Sequence, residues 1–332
     1  SRKTLAVMLK DTSLFMELEK LRLEYLRLSR CSTIQDSYDL LNIYADYFLQ
    51  TIKNHHTEPV KTVADRDARM INQMIFTKVL HIRQVVNGVS FTSSDGTSLN
   101  SIIDPTIVAS LIRNVYETVS MFNLIYRHTK TDDEKLVPHN LWAIAGLNYR
   151  QKFESLIITP ENEQKLKDEK RHIDNLVIEI EKTQLYIGLD QKDKEKIQTK
   201  IKEKDFKIRF DNNKVIFLHW QELCDTMGVK FGLFDKIYTY FSLYSHPSNV
   251  AVFQFGEMFY NEDKAFLDLT NYNLRELFIL LSIFIADYIH LFPNTLKTFE
   301  SLPLISQLVL NGHNKIVRDY EYSINDSWKQ LG

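Results

Sequence analysis

Residues 104–129 read DPTIVASLIRNVYETVSMFNLIYRHT, and this stretch decides the fold class. Asp104 offers a side-chain cap, and Pro105 supplies a first residue whose backbone is already set for a helix. Behind them Val108, Leu111, Ile112, Val115, Val119, Phe122 and Ile125 recur at the three-and-four spacing of one apolar helix face. The same period appears in Leu14, Leu18, Leu21, Tyr25 and Leu28 behind a Ser13 cap. It returns in Tyr38, Leu41, Ala45, Phe48 and Ile52, and in Met70, Met74, Val79, Ile82 and Val86. Only nine Gly and seven Pro punctuate the 332 residues. So few breakers imply long elements, and long elements are usually helices. The expectation is an all-α, multi-helix bundle.

Further helices are expected from about Pro138, over residues 215–227 and 231–246, from Tyr272 to a stop at Pro293, and over 302–310. Residues 87–104 form a long loop around Asn87-Gly88 and Asp95-Gly96, with room for a short hairpin. Residues 261–263, Asn-Glu-Asp, read as another loop. Val250 to Phe255 is the one segment with a possible strand pattern.

Between residues 161 and 207 the composition changes. There, 24 of 47 residues are charged, half of each sign. Leu166, Ile173, Val177, Ile180, Ile187, Ile197, Ile201 and Ile208 trace a narrow seam, and Gly188-Leu189-Asp190 separates two arms. This predicts an inserted antiparallel, charged helical hairpin projecting from the body. Domains are expected as an N-terminal helical layer over 1–100 and a bundle core over 101–332 that carries the hairpin.

With 41 basic and 43 acidic residues, the chain lacks the long-range attraction of a dedicated nucleic-acid binder. Cys31 and Cys224 lie far apart, outside any metal-ligand spacing, and read as reduced thiols. His55-His56 with Glu58 supplies too few convergent ligands for a metal and reads as an exposed loop. No targeting segment is visible. Leu277 to Ala286 is about half of a bilayer span before Asp287 interrupts it. A cytoplasmic protein without membrane contact, metal or cofactor is expected.

Chemistry concentrates in residues 238–248. Tyr238, Ser242 and His246 are spaced by four and share a helix face, with Ser245 beside them. Pro247 places His246 at the end of that helix. On the helix after Asp104, Arg113 and Glu117 are also four apart, near Tyr116 and Ser120. A compact polar cluster of these groups fits inside a helical bundle. Arg113, Glu117 and His246 are the catalytic candidates; Tyr238, Ser242 and Ser245 are the binding candidates. An Arg–Glu pair is more often structural than reactive.

The Arg113-x-x-x-Glu117 helix, then Trp220, Cys224 and Gly228, and then Tyr238-x-x-x-Ser242-x-x-x-His246-Pro247-Ser248 resemble an uncharacterised bacterial helical family related to abortive-infection proteins. That family resembles a distant branch of the HEPN superfamily of nucleotide-binding helical bundles. The resemblance covers residues 105–160 and 212–291, which makes the charged hairpin an insertion. It implies a phage-defence or toxin–antitoxin setting. HEPN ribonucleases place Arg shortly before His on one helix, with Arg steadying the scissile phosphate. Here Thr239, Tyr240 and Phe241 occupy those positions, and no Arg stands at that spacing before any of the ten His.

Two functions follow. One is a helical interaction or scaffold protein that forms a homodimer or binds a protein partner, its polar cluster structural. The other is a metal-independent ribonuclease or nucleotide-binding effector acting on RNA or a nucleotide. There His246 moves protons, Arg113 steadies phosphate charge, and Tyr238 and Ser242 orient the reacting groups.

Overall fold

The structure is a computed structural model that describes residues 2–156, 159–230, 232–260 and 264–331; of residues 2–15, 330 and 331 it describes the backbone alone. The described helices run in the order α1 (Arg2–Arg30), α2 (Ile34–His55), α3 (Val63–Val86), α4 (Pro105–Phe122), α5 (Asp132–Gln151), α6 (Pro160–Lys182) and α7 (Gln184–Gly188). They continue with α8 (Gln191–Glu203), α9 (Leu223–Thr226), α10 (Ile237–Ser245), α11 (Asn249–Tyr260), α12 (Lys264–Leu291), α13 (Leu296–Glu300) and α14 (Leu304–Val317). Two small antiparallel hairpins, β1 (Val89–Thr92) with β2 (Ser98–Ile102) and β3 (Ile208–Asp211) with β4 (Lys214–Phe217), are the only described sheets. The protein is all-α in class, as its breaker-poor sequence implies.

The chain divides into two compact units. One comprises Ser1–Lys61, Asp65–Val119 and Gly228–Gly332; the other comprises Thr62–Ala64 and Ser120–Met227. Apart from 62–64, residues 1–100 thus belong to the same unit as the C-terminal third of the chain.

In the first unit, α12 is the central element. Its residues from Leu277 to Ile289 are buried almost without a break, because they are apolar on every side and must be covered. α2 and α14 pack against it. The Tyr44 hydroxyl, buried on α2, donates to the Phe278 carbonyl at 2.8 Å and lies 2.6 Å from Ser282 Oγ. Asp287, the charge that ends the apolar run, accepts from Arg318 Nη2 at 2.8 Å, and both side chains are fully buried. Thr33 caps α2 through the amide of Asp36, whose carboxylate returns the bond to the Thr33 amide. Arg27 on α1 spans to Asp36 and Asp39, tying the two helices together. The close α1–α14 approach requires Gly312, where a Cβ would stand 2.8 Å from the Tyr25 hydroxyl. Gly228 is also fixed: its φ is +69° and the Tyr322 ring fills the space a Cβ would take.

In the second unit, α5 is the platform. Val137, Leu141 and Ile144 from α5 form one apolar core with Ile173, Leu176 and Ile180 from α6, Ile197 from α8, and Ile208 and Val215 from β3 and β4. The charged segment therefore does form two helical arms joined through α7, but they are packed onto α5 and the β3–β4 hairpin instead of projecting as a free arm.

Several local expectations change. α1 starts at Arg2, so Ser13 is inside it. Met70 and Met74 are half exposed, because the buried face of α3 runs through Ala68, Ile71, Ile75 and Val79. α5 starts at Asp132 behind the Thr131 cap, which puts Pro138 in its interior. Residues 215–227 are not a helix. Asn212 and Asn213 take φ of +48° and +58°, making the tight turn that closes β3 on β4. Val250–Phe255 is helical, within α11. Ile187 is exposed at the seam's end. The 87–104 loop contains the β1–β2 hairpin, turned at Gly96 with φ +87°. Phe231 and the Asn261–Asp263 loop lie outside the described residues.

At the foot of α8, burial would raise the Asp205 carboxyl, but hydrogen bonds from the Lys200 and Lys207 ammoniums outweigh it and hold it at about 2. A carboxyl lowered in the folded state stabilises above its unfolded value and loses that contribution as it protonates. Asp205→Asn is expected to cost about 2 kcal/mol at neutral pH. In urea melts the wild type should lose this advantage between about pH 4 and pH 2, and the variant should not.

Candidate functional site

Asp104 and Pro105 start α4 as the sequence implies. Asp104 Oδ1 accepts from the Thr106 amide at 2.8 Å. Two turns on, Arg113 leaves the helix beside its apolar face and meets α10. Its Nε donates to Glu117 Oε1 at 3.1 Å, Nη1 lies 2.9 Å from His246 Nε2, and Nη2 donates to the Tyr238 hydroxyl at 2.7 Å. The guanidinium carbon sits 4.9 Å from the Tyr238 ring centroid. Tyr116, fully buried, stacks at a tilt on Tyr238 at 5.6 Å. Four of the six candidate residues thus converge on one cluster.

The two serines do not join it. Ser242 Oγ donates to the Tyr238 carbonyl and Ser245 Oγ to the Phe241 carbonyl, each at 2.7 Å. Hydroxyls four residues from a helical carbonyl readily bond back to it.

His246 caps α10 with φ −109° and ψ 150°, the extended geometry that Pro247 imposes, and it is exposed. A guanidinium offers only donors. In the Arg113–His246 contact Nε2 is therefore the acceptor. The lone pair a general base would use is already engaged.

Beside His246 lies an open groove of about 340 Å³, walled by Ile107 and Ser110 on one side and by Ala251, Val252 and Phe255 on the other. Asp104 stands at its end, at the start of α4. An acidic group there repels anions that the helix N-terminus would otherwise attract.

Among the described residues, no group of three or more His, Cys, Asp or Glu side chains is placed to hold a metal ion, and no single helix is long and apolar enough to cross a membrane. His55 is not on an exposed loop. It is buried at the end of α2, with Nδ1 2.8 Å from the Tyr288 hydroxyl and its ring 4.7 Å from Phe292. Burial, and then the nearby Arg69 charge, lower its affinity for a proton.

Sequence reasoning missed Glu276 on α12. Burial pushes its carboxyl up to about 7. The Tyr240 hydroxyl close to it donates to Asn273 Oδ1 at 2.8 Å, and the Tyr240 ring meets Tyr272 at 5.7 Å. An acid one turn beyond Tyr272, at the edge of the apolar run that starts at Leu277, was the available signal.

The comparisons with known proteins bear on this region. Residues 103–264 match the model of a family of unknown function, DUF5677. The match begins at the cap of α4 and extends beyond α11, so it encloses the whole Arg113 cluster. No curated protein and no solved structure matches the chain.

Arg113→Met removes the donor to three acceptors while keeping the aliphatic stem. Partly buried charged hydrogen bonds of this kind contribute about 1–3 kcal/mol. The variant is expected to melt earlier by that amount in denaturant titration. His246→Ala, at an exposed cap, should cost less than half as much.

Proposed function

We propose that this chain is a helical interaction protein that pairs with a second copy of itself through α11. The observation that carries the reading is the surface of that helix. Of its twelve residues, only Ala251 is buried, while Val250, Val252, Phe253, Phe259 and Tyr260 are exposed by 46%, 60%, 62%, 53% and 91%. Apolar surface of this extent on one helix marks an interaction face. The five exposed side chains leave roughly 600 Å² of apolar surface, against the roughly 800 Å² that each partner contributes to a standard interface.

Gly256 supports pairing of helix on helix. It lies three or four residues from Val252, Phe253, Phe259 and Tyr260, at the centre of the exposed patch. A Cβ there would meet nothing within 4 Å. Glycine inside a helix costs about 1 kcal/mol relative to alanine. No described residue of its own chain comes within 4 Å of that position, whereas a closely crossing partner helix needs the gap. Glu257 is the only charged residue on α11, so the patch meets its own copy with little repulsion.

The Arg113 cluster fits this reading as a polar clasp holding α4 to α10, next to the helix that presents the patch. The resemblance to abortive-infection-related helical proteins adds a phage-defence or toxin–antitoxin setting and a cytoplasmic location to the proposal. A second reading, a metal-independent ribonuclease, is favoured by one observation: His246 is exposed at the mouth of a groove with Arg113 beside it. It requires Arg113 to release Nε2.

Analytical ultracentrifugation tests the proposal. The wild type should sediment as a dimer, and Phe253→Glu as a folded monomer. Gly256→Leu should also be monomeric although it raises helix propensity. A monomeric wild type, or variants as dimeric as the wild type, would overturn self-association. RNA cleavage in EDTA that His246→Ala abolishes would favour the second reading.

A further inference from the structure

A second feature lies in the other compact unit, where three local irregularities surround one cavity. α4 does not end as an α-helix. It widens into a π-turn over Asn123–Arg127, closed by the His128 amide bonding to the Asn123 carbonyl at 2.8 Å. Turns of this kind are rare and occur often at functional sites. Facing it, α5 carries Pro138 in its interior, so the Glu134 carbonyl loses its helical donor. The third side is β3, which contributes Arg209. These elements enclose a cavity of about 160 Å³, with Leu124, Ile208 and Phe210 as apolar walls and His128, Lys130 and Arg209 as its basic side chains.

Arg209 is the group without an explanation. Its Nε is shielded from solvent and has no hydrogen-bond partner, and no described carboxylate pairs with its guanidinium. A buried donor left unmade costs about 1–3 kcal/mol. Two carboxylates also line the cavity, and both are engaged elsewhere. Glu134 accepts from the Lys130 amide at 2.7 Å, where it helps to cap α5. Asp211 is exposed at the β3–β4 turn and accepts from Asn212 Nδ2 at 3.2 Å. The ring of His128 is hydrogen-bonded by the backbone of Thr226, and the proximity of Arg209 disfavours its charged form after burial has already done so. Arg209 and Lys130 bring two positive charges to this space, and neither carboxylate that lines it is paired with the Arg209 guanidinium.

We propose that this cavity binds a small organic oxyanion, a carboxylate or a phosphate monoester. Arg209 takes two of its oxygens in a fork, Lys130 adds a single donor, and the apolar walls hold the body of the ligand. This site is independent of the Arg113 cluster and of α11.

Isothermal titration of the purified protein at low ionic strength, with benzoate, phenyl phosphate and inorganic phosphate, tests it. Saturable binding of one equivalent of benzoate or phenyl phosphate is expected, and which of the two binds identifies the oxyanion. Inorganic phosphate shows whether the anion binds without its apolar body. Arg209→Gln should weaken binding by roughly tenfold or more, the size of one charged hydrogen bond. Arg209→Lys, which keeps the charge and loses the fork, should weaken it too. Lys192→Gln, which removes the same charge from the exposed face of α8, should leave binding unchanged. The proposal is overturned if none of the probes saturates. It is also overturned if the Arg209 variants, with unaltered melting curves, bind as well as the wild type, or if Lys192→Gln weakens binding equally.

Discussion

A helix that carries apolar side chains over most of its circumference has to be covered over most of it, and two helices in this protein meet that condition differently. α12 is covered by its own chain. Its aromatic and aliphatic side chains disappear against α2 and α14, and several of the polar groups it takes inside find a partner. Ser282 meets Tyr44, Asn273 meets Tyr240, and Asp287 meets Arg318. The last pair matters most, since an ion stripped of water needs its counter-ion close by. Arg318 also places the segment that follows α14, because its backbone bridges to Val229, where the chain turns toward α10. α11 has comparable apolarity and almost no cover.

The polar cluster at Arg113 shows how similar a structural clasp and a reactive site look before their hydrogen bonds are traced. Arg, Glu, Tyr and His stand together beside a groove, which is the inventory of an acid–base site. The directions of the bonds favour the other reading. The guanidinium donates to all three neighbours, the imidazole is reduced to an acceptor, and both serines bond to their own helix. What remains is a joint between α4 and α10. It fixes the end of α10 and, across Pro247 and Ser248, the start of α11.

Much of this was legible in the sequence. The Asp104-Pro105 start of α4, the long helices and the two charged arms follow from caps, breakers and apolar period, which are local properties. The convergence of Arg113, Glu117, Tyr238 and His246 was also readable, since each pair is spaced for one helix face. β4 was misread as the start of a helix because Val215, Ile216 and Phe217 suit either element; the deciding signal was Asn212-Asn213, two residues that tolerate a left-handed backbone. Pro138 was misplaced because Thr131 is the stronger cap. The serines could not be placed, because whether a hydroxyl faces a cluster or bonds back to its helix depends on a rotamer. The exposure of α11 and the unpaired Arg209 were beyond reach, since both depend on what the rest of the chain does not cover.

Hydrogen–deuterium exchange of the α11 amides across a dilution series tests the central claim most directly. Self-association through this helix predicts that residues 250–260 exchange slowly at high protein concentration and progressively faster on dilution, while α12 stays protected throughout. Exchange at α11 that is independent of concentration, with the protein folded at every step, would contradict it.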